Sequence, residues 1–157
     1  DQARTDQGAG RYRESPRLKH GAHGAHGEGQ MVQSVEFDAL SHRVIGCAIE
    51  VHKQLGPGLL ESVYRACLAH ELSMAGCLCE QEKPIGVRYK EVELDCGFRM
   101  DLLVERALIV ELKAVDALLP VHQAQLLTYL KLSGLRKGLL INFNSKILRN
   151  GIRRMVL

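Results

Sequence analysis

Hydrophobic residues between positions 40 and 72 recur at steps of three and four, which is the period of an amphipathic helix. The first run ends at Gly56, and a second run resumes after Gly58 and stops at Gly76. Glycine readily adopts the left-handed conformation in which many helices end. The pattern therefore predicts one helix over residues 38–55 and a second from about residue 60 to the region just before Gly76.

The period changes to two in the middle of the chain. Ile85, Val87 and Tyr89 alternate with polar residues, and the segment from Val92 to Leu102 does the same. Alternation of this kind is typical of half-buried strands. It predicts two strands that pair through a turn near residues 90–91, with Phe98, Met100 and Leu102 on one apolar side.

The last third of the chain returns to short apolar runs. The pattern predicts a strand at residues 107–113 that is buried on both faces at its start, a helix over 120–132 that Gly134 ends, a buried strand at 138–143 and an edge strand at 152–157. The order of elements predicts an α/β domain with a mixed sheet and helices on its faces.

Residues 1–30 have a different composition, since they hold six of the fifteen glycines and few apolar side chains. Such a segment cannot offset its ordering entropy by burial, so we predict a disordered leader, upstream of a true start at Met31, and a folded domain over 31–157. The histidines at positions 20, 23 and 26 are spaced by glycine and alanine, which impose no coordination geometry, so metal binding there would be adventitious.

Composition narrows the class of protein. The chain has 157 residues, 46% of them hydrophobic and 25% charged, and no apolar run approaches the roughly 18 residues that cross a bilayer. The net charge of +3 is too small to indicate nucleic acid by itself. Five cysteines with one C-x-C spacing favour neither disulfides nor zinc, so we expect buried free thiols and a cytoplasmic location.

Candidate chemistry begins with the predicted strand at 107–113. Glu111 and Lys113 project from the same face of such a strand, roughly 7 Å apart, while Leu112 points to the opposite face. Asp101 lies on the preceding strand and can come beside Glu111. Two converging carboxylates repel each other unless a cation neutralises them, and oxygen ligands suit Mg²⁺ or Mn²⁺.

Phosphodiester hydrolysis requires a metal that polarises the phosphate and activates water, carboxylates that hold it, and a positive group that stabilises developing charge. Asp101, Glu111 and Lys113 supply the last two parts. The alternative is that Glu111 and Lys113 form a solvated pair at a strand end and that Asp101 is a surface residue. Both interpretations stay open, because the strand context and the upstream aspartate support the catalytic one.

Two helical pairs add to this set. Glu61 and Tyr64 lie three residues apart on the second predicted helix, and Gln125 and Tyr129 lie four apart on the third. Glu61 also sits in a first turn, where a carboxylate favours the helix dipole, and Tyr64 falls within the apolar stripe, so both have structural alternatives.

Together these motifs resemble the bacterial GxxExxY proteins of the PD-(D/E)XK nuclease superfamily. The resemblance runs from about Leu40 to Val156, and the motifs that carry it are G-x-x-E-x-x-Y at residues 58–64, Arg99-Met100-Asp101, Glu111-x-Lys113 and Gln125-x-x-x-Tyr129. It implies a restriction-endonuclease-like αβββαβ core with a mixed central sheet flanked by helices. One departure is Met100 in place of a proline before Asp101.

The resemblance also implies roles for these residues. Asp101 and Glu111 would be metal ligands with Glu61 as an additional acidic group, and Lys113 would be the catalytic lysine, with Mg²⁺ or Mn²⁺ as cofactor. Substrate-binding roles are expected for the remaining motif residues Gln125, Tyr129, Tyr64 and Arg99.

Charge distribution points to a polyanionic partner. Asp116 is the last acidic residue, and the 41 residues after it contain seven lysines and arginines. Phosphate contacts supply most non-specific affinity for nucleic acid, so we expect a nucleic-acid substrate, DNA in the first instance, and no membrane partner. A catalytically weak or inactive nuclease-fold binding or accessory module remains the alternative, and a homodimer or a protein partner is left open.

Overall fold

The computed structural model describes residues 28–157, and for residues 28–38 it describes the backbone alone. The predicted leader before residue 28, with its histidines, lies outside the described residues. In chain order the elements are α1 (Glu28–Leu55), α2 (Glu61–Met74), β1 (Cys79–Tyr89), β2 (Val92–Val104), β3 (Leu108–Lys113), α3 (Pro120–Ser133), β4 (Lys137–Asn142), a short 3-10 helix (Leu148–Gly151) and β5 (Ile152–Val156).

The five strands form one mixed sheet in the order β1-β2-β3-β4-β5. β3 and β4 are parallel, and every other neighbouring pair is antiparallel. Parallel neighbours need a crossover connection, which α3 provides. The α/β class with a mixed sheet is therefore confirmed, and the element order is consistent with a restriction-endonuclease-like fold.

Helices cover both faces of the sheet. Buried residues of α1 and α2, such as Val44 and Leu68, pack with Leu102, Val110 and Ile141 on one face. On the opposite face, buried residues of α3 pack with Met100, Leu103, Ile109 and Leu140 from the strands. The site residues of β3 must therefore lie against one of two different helical layers.

Glycines end the helices at the positions that the sequence predicts. Gly56 has a φ of 65° after α1 and donates its N–H to the carbonyl oxygen of His52 at 2.8 Å. Gly134 has a φ of 73° after α3. Both conformations are ones that a side chain disfavours, which is why glycine stands at these two positions.

Two predicted boundaries are wrong. α1 begins at Glu28 rather than near residue 38, so it includes the end of the predicted leader. β1 begins at Cys79, although alternation starts only at Ile85. Cys79 pairs with Val104 and Glu80 with Leu103, so the partner strand supplies hydrogen bonds to a segment that has no strand pattern of its own.

β2 changes its apolar face at Asp101, which corrects the prediction that Met100 and Leu102 share one side. Met100 packs on the α3 side of the sheet, and Leu102 packs on the side of α1 and α2. In β1, Glu82 has a φ of 50° between two residues that pair with Leu102 and Met100. Such irregularities bend a strand and redirect its side chains.

The five cysteines are free thiols, as predicted, but only Cys77 is buried and Cys96 is exposed. Burial raises the pKa of the Cys79 thiol to about 11, which keeps this group protonated at neutral pH. Within residues 28–157, no helix has the combination of length and apolar character that crossing a membrane requires.

Candidate active site

The centre of the site is the point where β2 and β3 separate. Their last backbone pair is Leu102 with Val110. Beyond it, the Asp101 N–H donates to Glu111 Oε1 at 3.0 Å, and the Leu112 N–H donates to Asp101 Oδ2 at 2.9 Å. Each carboxylate thus takes the place of a backbone carbonyl on the opposite strand. The exchange fixes both acidic side chains beside each other in a defined orientation.

Glu111 and Lys113 share one face of β3, as their spacing predicts, and this face lies on the α3 side of the sheet. Leu112 packs in the opposite core with 1% of its surface exposed, while Glu111 is only 4% exposed. Burial, followed by the charge of Asp101, raises the pKa of Glu111 to about 8. A buried carboxylate beside another carboxylate is the arrangement that a bound cation would stabilise.

Helix α3 brings Gln125 and Tyr129 to Lys113. The Lys113 ammonium donates to Gln125 Oε1 at 3.0 Å, and Gln125 Nε2 donates to the Tyr129 hydroxyl oxygen at 3.0 Å. The centroid of the Tyr129 ring also lies 6.0 Å from the centroid of the Phe98 ring on β2. Burial and the Glu111 charge raise the pKa of Tyr129. Gln125 therefore contacts the lysine directly, and Tyr129 acts on it through Gln125.

Helix α2 contributes Glu61 from the other side. Glu61 Oε1 accepts a hydrogen bond from the Ala114 N–H at 3.4 Å, directly after Lys113. Among the side chains that the structure describes, those of residues 39–157, no group of three or more His, Cys, Asp or Glu is placed to hold a metal. The structure therefore places Glu61 at the end of β3 without assembling it with Asp101 and Glu111 into a three-carboxylate cluster.

Arg65, which the sequence reasoning missed, also contacts the site. Its Nη1 lies 3.7 Å from Asp101 Oδ1, and its Nη2 lies 3.4 Å from Glu82 Oε1. Arg65 follows Glu61 by four residues, so both side chains project from one face of α2. That spacing was the available signal, but only the tertiary fold shows that this face meets Asp101.

Tyr64 is a core residue in this structure. It is completely buried, and its ring stacks on Phe143 with centroids 4.5 Å apart. Its hydroxyl donates to the Gly56 carbonyl at 2.6 Å and accepts from the Leu59 N–H at 3.1 Å. Tyr64 therefore stabilises the turn that precedes Glu61 and offers no surface to a substrate in this conformation.

Arg99 is exposed on β2, two residues before Asp101. In the part of the chain that the structure describes, its side chain has no hydrogen bond or ion pair with Asp101, Glu111 or Lys113. The structure thus brings six of the predicted residues to the end of β3, adds Arg65, and leaves Tyr64 and Arg99 outside this group. The six are Glu61, Asp101, Glu111, Lys113, Gln125 and Tyr129.

The donor set fits a hard divalent cation. Asp101 and Glu111 are acidic groups held side by side, and burial, followed by the charge of Asp101, raises the pKa of Glu111. Mg²⁺ prefers oxygen ligands and keeps several water molecules, so that one or two protein carboxylates are enough to hold it.

Fold and site together define an α/β domain with paired carboxylates and a lysine at the point where two strands separate. A family model described as the PD-(D/E)XK nuclease superfamily matches residues 38–155. The chain belongs to this superfamily, and a nuclease-type function is what such a domain indicates. Searches of curated proteins and of solved structures found no match. The narrower GxxExxY assignment stays a prediction.

Proposed function

We propose that the chain is a Mg²⁺- or Mn²⁺-dependent nuclease that hydrolyses phosphodiester bonds of DNA in the cytoplasm. The observation that carries this proposal is the reciprocal pairing of Asp101 and Glu111 through backbone N–H groups, with Lys113 on the same strand face as Glu111. A salt bridge between Glu111 and Lys113 at a solvated strand end would not require the aspartate, nor would it leave Glu111 buried.

Asp101 and Glu111 are the proposed metal ligands. A divalent cation bound there would polarise a phosphate oxygen and lower the pKa of a water molecule. Glu61 is the proposed additional acidic group. It accepts a hydrogen bond from the Ala114 N–H at the long distance of 3.4 Å, so a modest rotation of its side chain would free it to hold a water molecule.

Lys113 is the proposed catalytic cation. Its ammonium cannot ligate a metal, so its work is to orient the attacking water or to stabilise negative charge that develops on the phosphate. Gln125 accepts one hydrogen bond from this ammonium and Tyr129 holds Gln125 in turn. This chain of hydrogen bonds reduces the number of orientations open to the lysine, and Gln125 and Tyr129 are the proposed substrate contacts beside it.

The proposed path of the substrate follows the edge of the sheet where β3 and β4 end. Because these strands are parallel, Lys113 pairs with Asn142, and the segment after Asn142 begins at the same edge. Lys146 and Arg149 are exposed in that segment. Nucleic-acid phosphates would meet these positive charges next to the carboxylates, and Arg99 would add another charge on β2.

Incubation of the full chain with single-stranded, duplex and branched DNA and with RNA, in Mg²⁺, Mn²⁺ or EDTA, tests the proposal. We expect metal-dependent cleavage of at least one DNA substrate and none in EDTA. The matched control is Glu111→Gln, which preserves side-chain shape and should be inactive. Binding to DNA without cleavage in either metal would instead support the binding or accessory module.

A further inference from the structure

Asp101 has partners at both of its carboxylate oxygens. Oδ2 accepts the Leu112 N–H at 2.9 Å, and Oδ1 lies 3.7 Å from Nη1 of Arg65. The bond to Leu112 is one of the two carboxylate–backbone hydrogen bonds that join β2 to β3 at the site. Oδ1 takes no part in these backbone hydrogen bonds, so it is the oxygen most open to a cation, and the Arg65 guanidinium already lies beside it.

Arg65 has a second carboxylate within reach. Its Nη2 lies 3.4 Å from Glu82 Oε1, which is closer than its approach to Asp101. The Arg65 side chain is 21% exposed and that of Glu82 is 59% exposed. A guanidinium presents several N–H donors in a planar fork, so Arg65 can contact both acids or keep Glu82 alone.

A divalent cation and a guanidinium at neighbouring positions repel each other, and the repulsion is strong in a partly buried site. We propose that Arg65 competes with the divalent metal for Asp101, and that Glu82 is the alternative partner that holds Arg65 when the metal binds. The inference rests on the proposed metal-dependent function and assigns a positioning role to two residues outside the predicted set.

Because Arg65 can contact either Asp101 or Glu82, the metal affinity depends on which of the two acids holds it. Without metal, Arg65 neutralises part of the charge of Asp101. With metal, the charge on Asp101 is neutralised by the cation, and Glu82 lowers the cost of moving Arg65 away. Removing Arg65 should therefore tighten metal binding, and removing the Glu82 charge should weaken it, provided that Arg65 is present.

Calorimetric titration with Mn²⁺ alone, in the absence of nucleic acid, measures this balance in four full-length proteins. These are the unmodified chain, Arg65→Gln, Glu82→Gln and the double variant. We expect Arg65→Gln to lower the Kd for Mn²⁺ by about three- to tenfold and Glu82→Gln to raise it by a similar factor. In the double variant, the Kd should equal that of Arg65→Gln.

The double variant distinguishes a change of partner by Arg65 from a direct effect of the Glu82 charge on the metal. If Glu82 acted only through its negative charge, its removal would weaken Mn²⁺ binding equally with or without Arg65, and the two effects would add. The matched control is Glu80→Gln, because Glu80 forms an ion pair of the same 3.4 Å length with Lys83 on the same strand. It removes one acidic charge from β1 without freeing Arg65, and the Kd should change by less than about twofold.

The outcomes also separate this inference from the proposed function. Mn²⁺ binding that is insensitive to Arg65, or additive effects in the double variant, would overturn the inference and leave the nuclease proposal standing. No Mn²⁺ binding to the unmodified chain would overturn both. If Arg65→Gln does not fold, Arg65→Lys and Glu82→Gln still test whether Arg65 competes with the metal. Arg65→Lys keeps the positive charge but lacks the planar guanidinium, and Glu82 is an exposed residue.

Discussion

Both faces of β3 are buried from Leu108 to Leu112, but only one of them carries charged side chains. On one face Leu108, Val110 and Leu112 pack against α1 and α2. On the other, Ile109 packs against α3 and is followed by Glu111 and Lys113. Glu111 is 4% exposed and its neighbour Leu112 is 1% exposed. The difference shows that the apolar face anchors the strand, and that this anchoring lets the opposite face hold charged groups in a fixed arrangement.

The energetic consequences of burial also have opposite signs on the two faces. Burial of Leu112 removes apolar surface from water and stabilises the fold. Burial of Glu111 next to Asp101 disfavours the charged carboxylate and raises its pKa to about 8. A metal-free site of this kind costs stability, as functional sites commonly do, and the core on the opposite face offsets that cost.

The largest expected effect comes from the polar face. Glu111→Gln and Asp101→Asn should each lower metal-dependent cleavage by about 10³-fold or more, because amide oxygens are poor ligands for a hard cation. Both variants keep an oxygen that can accept the backbone N–H, so the fold should persist by circular dichroism. Cleavage by Glu111→Gln at the rate of the unmodified chain would contradict the site assignment.

On the apolar face, Leu112→Ala should lower the free energy of unfolding by about 2–5 kcal/mol, because it leaves a cavity in the core against α1 and α2. Denaturant unfolding measures the loss. Under conditions where the variant is folded, its Mn²⁺ affinity should stay within a few-fold of the original value. A loss of metal binding with unchanged stability would mean that the two faces do not divide their roles in this way.

Lys113→Met separates metal binding from chemistry on the polar face itself. The substitution removes a positive charge near the carboxylates, so Mn²⁺ affinity should stay the same or increase, while turnover falls by about 10²-fold. Calorimetry beside a cleavage assay measures both quantities. If Lys113 served only in a structural salt bridge, the substitution would lower stability but leave the cleavage rate per folded molecule unchanged.

The pKa of Glu111 predicts how the stability of the metal-free protein depends on pH. Since the folded-state pKa of about 8 lies above the ordinary value of 4.5, the folded state binds the proton more tightly than the unfolded state. The contribution of this group should therefore be most favourable below about pH 4.5 and should be lost as pH rises through 8.

Unfolding in EDTA between pH 5 and pH 9 checks this dependence against Glu111→Gln, which cannot ionise. The variant should gain stability relative to the unmodified chain as pH rises. A stability difference that is constant across this range would show that Glu111 titrates at its ordinary value.

The smallest expected effect concerns Tyr64. Removing its hydroxyl in Tyr64→Phe leaves the Gly56 carbonyl and the Leu59 N–H without their buried partner, so we expect a loss of about 1–2 kcal/mol in unfolding free energy. Thermal or denaturant unfolding measures it. A fall in cleavage rate greater than the fall in folded fraction would return Tyr64 to the substrate-binding residues that the motif implies.

The sequence predicted much of this architecture because local patterns carry the necessary information. Hydrophobic period distinguishes α3 from β3 and β4, and Gly56 and Gly134 end their helices through a conformation that glycine alone adopts easily. The two-residue period of a strand also determined that Glu111 and Lys113 share a face. The position of Gln125 and Tyr129 on one side of α3 follows from helical spacing in the same way.

Other features depend on contacts between segments far apart in the sequence. β1 extends back to Cys79 because β2 supplies its hydrogen bonds, and β2 changes its apolar face at Asp101 opposite an irregular position in β1. The burial of Tyr64 against Phe143 and the approach of Arg65 to Asp101 likewise join separate elements. Local spacing determines which side chains share a face, but only tertiary packing decides what that face meets, because the partner groups come from other strands and helices.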